Sequence, residues 1–352
     1  MQKTNIYKHV FLITIKILSS SFLALALFAC EKNKTKDEIN VIESSLNAKK
    51  ALQKITLAFT LQPQSALAHI AIAKGYFIEE GLDVQVSMHT FGKMALQAVL
   101  DSKADFATVA ETPIMFNILK GEKIFILANI VSSSTNNAVL ARKDAKIINP
   151  KDLKGKKVGY TPGTTGEFFL DSMLIANGLE RKQIQSIALK PEEMLEAIQL
   201  KKVDAVSTWN YDLTLIKREL RSNGIIFYDR EIYTETFNIV ARQDFINKNP
   251  EAAKSLLRAL IKSEKFISSN PNQAQEIMAK ATKNDLSLIQ EVWSSFNFSV
   301  VLDHTILLTL EDETRWAMKN KLIDPKAMPD YISFIYFDSL KAVKPDAIKM
   351  NR

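Results

Sequence analysis

The side chains in this chain that could do chemistry fall into a few short runs, and most of them are hydroxyls and amides. Five stretches lie just after apolar runs or at helix starts: Thr60-Leu61-Gln62 with Ser65, Thr90-Phe91-Gly92, Ala110-Glu111-Thr112-Pro113, Ser132-Ser133-Ser134-Thr135 and Pro162-Gly163-Thr164-Thr165-Gly166. Trp209 and Asn210 complete the set. Helix starts leave backbone N–H groups unpaired and carry the positive end of the helix dipole, so such positions suit the capture of a small polar molecule by hydrogen bonds. Thr164-Thr165-Gly166-Glu167 has two physical readings. As a site, its glycines permit close backbone approach, its hydroxyls donate and the helix start favours an anion. As structure, Thr164-x-x-Glu167 is a capping box that needs no ligand. Glu111 divides in the same way, between a cleft group and a complement to the dipole of a helix that Thr112-Pro113 would start. A Glu111 or Glu167 aimed into a cleft would favour a ligand with an amine or protonated ring nitrogen. Trp209 reads either as a cleft wall or as core.

Other chemistries lack their residues. His69, His89 and His304 are far apart, with no HExxH pair; there is no GxSxG elbow, and Gly155-Lys156 lacks the glycine spacing of a phosphate-binding loop. The expectation is a protein that is not an enzyme and takes no cofactor and no metal. Cys30 is the sole cysteine, which removes disulfide frameworks and thiolate metal sites. The net charge of +7 includes Lys3, Lys8 and Lys16, and residues 30–352 carry only +4, with basic and acidic residues interspersed. That is no nucleic-acid footprint.

The elements that must position these groups alternate short β-rich runs with helical patterns, which is α/β architecture. Strands are expected at Ile55–Thr60, Val84–Met88, Asp105–Val109, Ile124–Ile130, Ala138–Ala141, Lys157–Tyr160, Ile184–Leu189, Asp204–Thr208, Ile225–Tyr228 and Phe237–Ala241. Ser65 would cap a helix interrupted at Gly75 and closed by Gly81; beyond residue 242 the pattern turns mostly helical, with Pro250 starting a helix whose stripe is Ala253, Leu256, Leu257, Leu260, Ile261 and Ile267. Residues 95–105 and 194–204 share Leu, Ala, Lys and Asp at a constant offset of 99, a hint of two similar halves.

The first 29 residues carry lysines, no acid, and an apolar stretch from Val10 to Ala29 whose longest clean part is too short to span a bilayer. They read as a signal peptide. Leu27-Phe28-Ala29-Cys30 resembles the bacterial lipobox, which makes Cys30 a lipidation site and residues 30–54 a lipidated amino terminus and flexible stalk. An uncleaved anchor helix is the alternative.

Ala71-Ile-Ala-Lys-Gly-Tyr-Phe-Ile-Glu-Glu-Gly-Leu-Asp-Val84 closely resembles the AxxKGYFxxEGLDV signature of periplasmic solute-binding proteins of ABC importers, the group that binds nitrate, sulfonates, taurine and thiamine-pyrimidine precursors. Leu100-Asp-Ser-Lys-Ala-Asp-Phe106, Asp152-Leu-Lys-Gly-Lys-Lys-Val-Gly159 and Val203-Asp-Ala-Val-Ser-Thr-Trp209 agree with it in the expected order. The resemblance implies a two-lobed Venus-flytrap of the type II periplasmic-binding-protein fold, each lobe a mixed sheet flanked by helices. Lobe one would comprise 55–139 plus 243–345 and lobe two 140–242, with 346–352 a tail and two hinge crossovers at Ala138–Arg142 and Phe237–Arg242. It implies that Thr60, Gln62, Ser65, Phe91, Gly92, Glu111, Thr112, Ser132, Gly163, Thr164, Thr165, Trp209 and Asn210 hold a small-molecule ligand. It also implies permease and ATPase partners, a monomer, and a place in the cell envelope on a lipid anchor, facing the periplasm or exterior. Some intracellular relatives form pyrimidines with a cysteine-rich motif; this chain has no cysteine after 30. A ligand-sensing envelope lipoprotein without a transport role is the alternative function, and an extracytoplasmic enzyme the least supported.

Overall fold

Twelve strands in the computed structural model, which describes residues 51–324 and 327–350, divide between two mixed sheets flanked by helices. The expected export signal, Cys30 and most of the expected stalk lie outside the described residues. In chain order the strands are β1 (Gln53–Thr60), β2 (Leu82–His89), β3 (Phe106–Ala110), β4 (Ile124–Ser133), β5 (Asn137–Arg142), β6 (Lys157–Tyr160), β7 (Gln185–Ala188), β8 (Ala205–Trp209), β9 (Gly224–Phe227), β10 (Glu235–Arg242), β11 (Asn297–Asp303) and β12 (Ile348–Lys349). The first sheet runs β12-β11-β4-β10-β3-β1-β2 and the second β7-β6-β8-β5-β9. All ten expected strands are present.

Both sheets are built around the same device. Asp105 accepts a hydrogen bond from the backbone N–H of Thr56 at 2.8 Å, joining β3 to β1; Asp204 accepts from Lys157 N at 3.0 Å, joining β8 to β6. The residues before them match as well, since Ser102 and Lys201 both take a left-handed backbone and Lys103 and Lys202 each donate to an alanine carbonyl at 2.8 Å. The 99-residue repeat is therefore a repeated helix-to-strand joint. Its consequence is positional: Ala110 ends β3 and Trp209 ends β8, and each is followed by a helix start.

The crossovers differ from expectation. β5 bonds wholly within the second sheet, to β8 and β9, and β10 wholly within the first, to β3 and β4. The passages between sheets are therefore 134–136 and 228–234, not Ala138–Arg142 and Phe237–Arg242. A strand whose N–H and C=O groups are paired on both edges cannot absorb hinge rotation without breaking its ladder; the short connectors can. Nor is the chain beyond 242 only helical. β11, with its β-branched Val300-Val301, pairs with β4, and residues 348–349 of the expected tail pair with β11 while Met350 is buried.

The Ala71–Val84 signature is architectural. Gly75 and Gly81 have φ of 73° and 80°, a left-handed backbone that glycine adopts without strain, and they set the helix break and the turn into β2. Glu80 is salt-bridged by Arg258 at 2.5 Å and Lys262 at 2.7 Å, both on the Pro250–Ser269 helix, whose expected stripe is buried against the first sheet's layer. Among the described residues no helix is long and apolar enough to cross a membrane.

Candidate functional site

A small cavity opens where the carboxyl ends of the parallel strands of both sheets meet. From the first sheet's side it is lined by Gln62, Gln64, Phe91, Gly92, Lys93, Ala110, Pro113, Glu235 and Phe237, and from the second by Thr164, Thr165 and Trp209. Its space is about 30 Å³, room for about one water. Phe91 and Trp209 close it as near-parallel plates, ring centroids 6.3 Å apart at 29°. Gly92 is needed for the fit, because a Cβ there would lie 3.1 Å from Val109 Cα and 3.3 Å from the Phe237 ring.

The loop after β6 is held by its own groups. Glu167 Oε2 accepts from Gly163 N at 2.7 Å, and the Thr164 hydroxyl donates to Thr161 O at 2.7 Å. This is not the expected capping box: Glu167 reaches one residue further back, and Thr164 caps nothing with its side chain. Lys93 crosses from the first side to donate to Pro162 O at 3.0 Å. Burial, then Lys120, pushes the Lys93 ammonium down, against the pull of Glu167.

Of the expected ligand contacts, Gln62, Phe91, Gly92, Thr164, Thr165 and Trp209 line this cavity. Gly163 sits just outside it, beside the Lys93 ammonium. Thr60 and Ser65 are fully buried beneath, their hydroxyls 3.0 Å apart and Ser65 joined to Thr108 at 2.9 Å. Ser65 therefore closes a hydroxyl network instead of capping a helix. Asn210 is turned toward Ser295, donating at 2.6 Å, and Ser132 accepts from Asn297 at 3.3 Å, each beside a separate surface hollow.

Glu111 and Thr112 point into the protein. Glu111 Oε1 accepts from the Tyr233 hydroxyl and Oε2 from Thr236 N at 2.9 Å; Thr112 donates to Glu313 Oε1. Burial first, then Glu235, pushes Glu111 up to about 8, and burial with Glu111 holds Glu313 well above the carboxylate range.

Gln64, Lys93, Glu235 and Phe237 line the cavity without standing among the expected contacts or their stretches. Gln64 and Lys93 lie within two residues of expected contacts. Glu235 is different: β10 runs antiparallel to β3, with Phe237 opposite Ala110, so its beginning, not its end, reaches the cavity. Its signal in sequence is a lone carboxylate opening the apolar run to Ala241. Glu235 Oε2 accepts from Asn136 Nδ2 at 2.5 Å and Asn137 Nδ2 at 2.6 Å, and burial, opposed by those two amides, pushes it up to about 7. Two buried polar atoms of the lining, Gln64 Oε1 and Trp209 Nε1, have no hydrogen-bond partner among the described residues, one an acceptor and the other a donor. The cavity thus offers two flat aromatic faces, a carboxylate, the Lys93 ammonium, an amide oxygen, an indole N–H and two threonines, around space for about one water.

The model of the family described as NMT1/THI5 like matches residues 62–274. A protein of Brucella abortus named as a binding protein is 29% identical over 227 residues, covering 63% of this chain and 69% of that one. The formylaminopyrimidine-binding protein of Halalkalibacterium halodurans is 23% identical over 288 residues, covering 79% and 83%. Among solved structures, the alkanesulfonate-binding protein SsuA from Xanthomonas axonopodis pv. citri bound to MOPS aligns with a TM-score of 0.71 at 13% identity, covering 82% of this chain and 99% of that one. The fold is thus the two-lobed periplasmic-binding-protein fold.

Proposed function

The chain belongs to the NMT1/THI5-like family, and we propose that it is the solute-binding component of an ABC importer, closing its two halves over a small molecule and delivering it to permease and ATPase subunits. It binds without turning its ligand over. The ligand is a flat nitrogen-bearing ring with N–H donors, of the pyrimidine-precursor class, in preference to a nitrate-like or simple sulfonate anion. The observation that carries this reading is Glu235 in the wall beside the Phe91–Trp209 plates. A buried carboxylate repels a bare anion and is satisfied by a donor, and aromatic faces 6.3 Å apart need little further separation to flank a planar ring. A taurine-like ligand would give Glu235 its ammonium but leave the plates without a partner. The protein is exported and held at the membrane through Cys30, as a monomer facing the periplasm or exterior; the Leu27–Cys30 lipobox pattern supports the tether.

Thermal unfolding with a ligand panel tests the reading. At a ligand concentration 100-fold above Kd the stabilisation is about 2.7 kcal/mol. Aminopyrimidines are expected to raise Tm, with nitrate and alkanesulfonates leaving it unchanged. A rise with the anions alone would overturn the ligand class, and no rise with any compound the solute-binding reading itself.

A further inference from the structure

Glu235 is more than a wall of the cavity, because its hydrogen bonds run into the connections between the two halves. It is the first residue of β10, directly after the crossover 228–234. Its Oε2 gathers the amide of Asn136, in the other crossover, and that of Asn137, which opens β5. Asn136 in turn accepts, on Oδ1, the backbone N–H of Asn210 at 3.2 Å. Asn210 starts the helix that follows Trp209, the opposite wall. One side chain, Asn136, therefore ties the carboxylate on one wall to the backbone of the other.

The charges facing Glu235 do not neutralise it. Lys93 lines the same cavity, but its ammonium is held at Pro162 O and its charge acts on Glu167. On the helices behind stand two further acids, Glu111 and Glu313, and the Tyr233 hydroxyl is given to Glu111. No Lys or Arg makes a salt bridge with Glu235 among the described residues. With Oε2 supplied by two amides, Oε1 is left to the cavity. Glu235 is only 4% exposed, so water stabilises its charge poorly there.

We propose that closing the two halves requires Glu235 to gain a positive partner on its cavity side, a proton in the ligand-free protein or the ligand's N–H or ammonium group, and that Asn136 is the positioning residue that conveys this to the crossovers. The step balances: the open form with Glu235 ionised and hydrated takes up one proton on Oε1 and becomes the closed form with a neutral acid. A ligand donor replaces that proton, so ligand closes the protein at a pH where protons do not. This rests on the cavity being the ligand site, while its central test needs no ligand.

The test is small-angle scattering on the full ligand-free chain from pH 8.5 to 4.5, with circular dichroism as a check on folding. The radius of gyration is expected to fall as pH falls, with a midpoint between the ordinary 4.5 of a hydrated carboxyl and the value of about 7 to which burial raises Glu235. Glu235→Gln should be compact throughout with no midpoint. Asn136→Ala, which removes one donor to the ionised form, should shift the midpoint to higher pH, a change that a purely structural role would not produce. A radius independent of pH in the unaltered chain, a midpoint that persists in Glu235→Gln, or an unshifted midpoint in Asn136→Ala each overturns the proposal. Adding 4-amino-2-methylpyrimidine at pH 8.5 separates the two readings: compaction supports both, and failure to bind removes the proposed ligand class while the pH series still decides the proton linkage.

Discussion

Two groups of buried acids sit in this protein and meet different partners. Glu167 and Asp171, on the Thr165–Ala176 helix, share Arg181: its Nε reaches Asp171 at 2.5 Å and its Nη1 lies 3.6 Å from Glu167. Asp171 also accepts from Trp316 Nε1 at 2.8 Å, and the guanidinium lies 4.4 Å from the Tyr160 ring centroid. Glu111, Glu235 and Glu313 are equally buried but receive only neutral donors from Tyr233, Thr236, Asn136, Asn137 and Thr112. The carboxylates are alike, and what differs is a cation in contact. With one, buried acids become mortar between elements, although burial still raises Glu167 against the pull of Arg181; without one, burial is opposed by neutral donors only, and the acids can respond to pH or to a ligand.

The largest effect should come from making the first group resemble the second. Arg181→Met strands two carboxylates that are each 5% exposed, and a loss of about 3–5 kcal/mol is expected in urea unfolding. Stability unchanged within error would show that Arg181 is not what neutralises them. Next is the pH dependence of the second group. Folding raises Glu235 to about 7 and Glu111 to about 8 from an ordinary 4.5, so the stability these groups contribute is fully present below 4.5 and is lost as pH rises through 7 and 8. Tm should therefore fall between pH 5 and 8, and Glu111→Gln should flatten the slope; a flat profile in the unaltered chain would dissolve the contrast between the groups. The smallest effect is Trp316→Phe, which keeps the ring packing on Phe168 but removes the bond to Asp171. A loss of about 1.5–3 kcal/mol is expected, and calorimetry showing none would mean that Arg181 alone suffices.

How far the site could be read in advance followed from geometry. Gln62, Phe91, Gly92, Thr164, Thr165 and Trp209 follow strands, and in parallel sheets such positions converge on a crevice. Their neighbours Thr60, Ser65, Glu111 and Thr112 share the same sequence cue yet turn inward, because one step along a strand or around a helix start reverses the direction of a side chain. Glu235 eluded the rule, since it lies at the beginning of an antiparallel strand that reaches the same edge from the other end. The crossovers were misplaced by a few residues for a related reason: apolar alternation marks β5 and β10 as strands but not which sheet each joins.

Alternation, capping residues and glycine placement are local quantities, and they sufficed for the ten strands, the Pro250 helix and the Gly75–Gly81 joint; the two-lobed fold was carried by the family resemblance of Ala71–Val84 and the three stretches that agree with it. The 99-residue repeat carried into matching aspartates that pin β3 to β1 and β8 to β6. Tertiary structure alone decided which acids share a cation and which share a cavity. Glu235 meets Asn136 across 99 residues of chain, and Trp316 meets Asp171 across 145. Whether a buried carboxylate is charged depends on what surrounds it within a few ångströms, and the folded chain supplies those surroundings from segments whose separation in sequence carries no trace of the encounter.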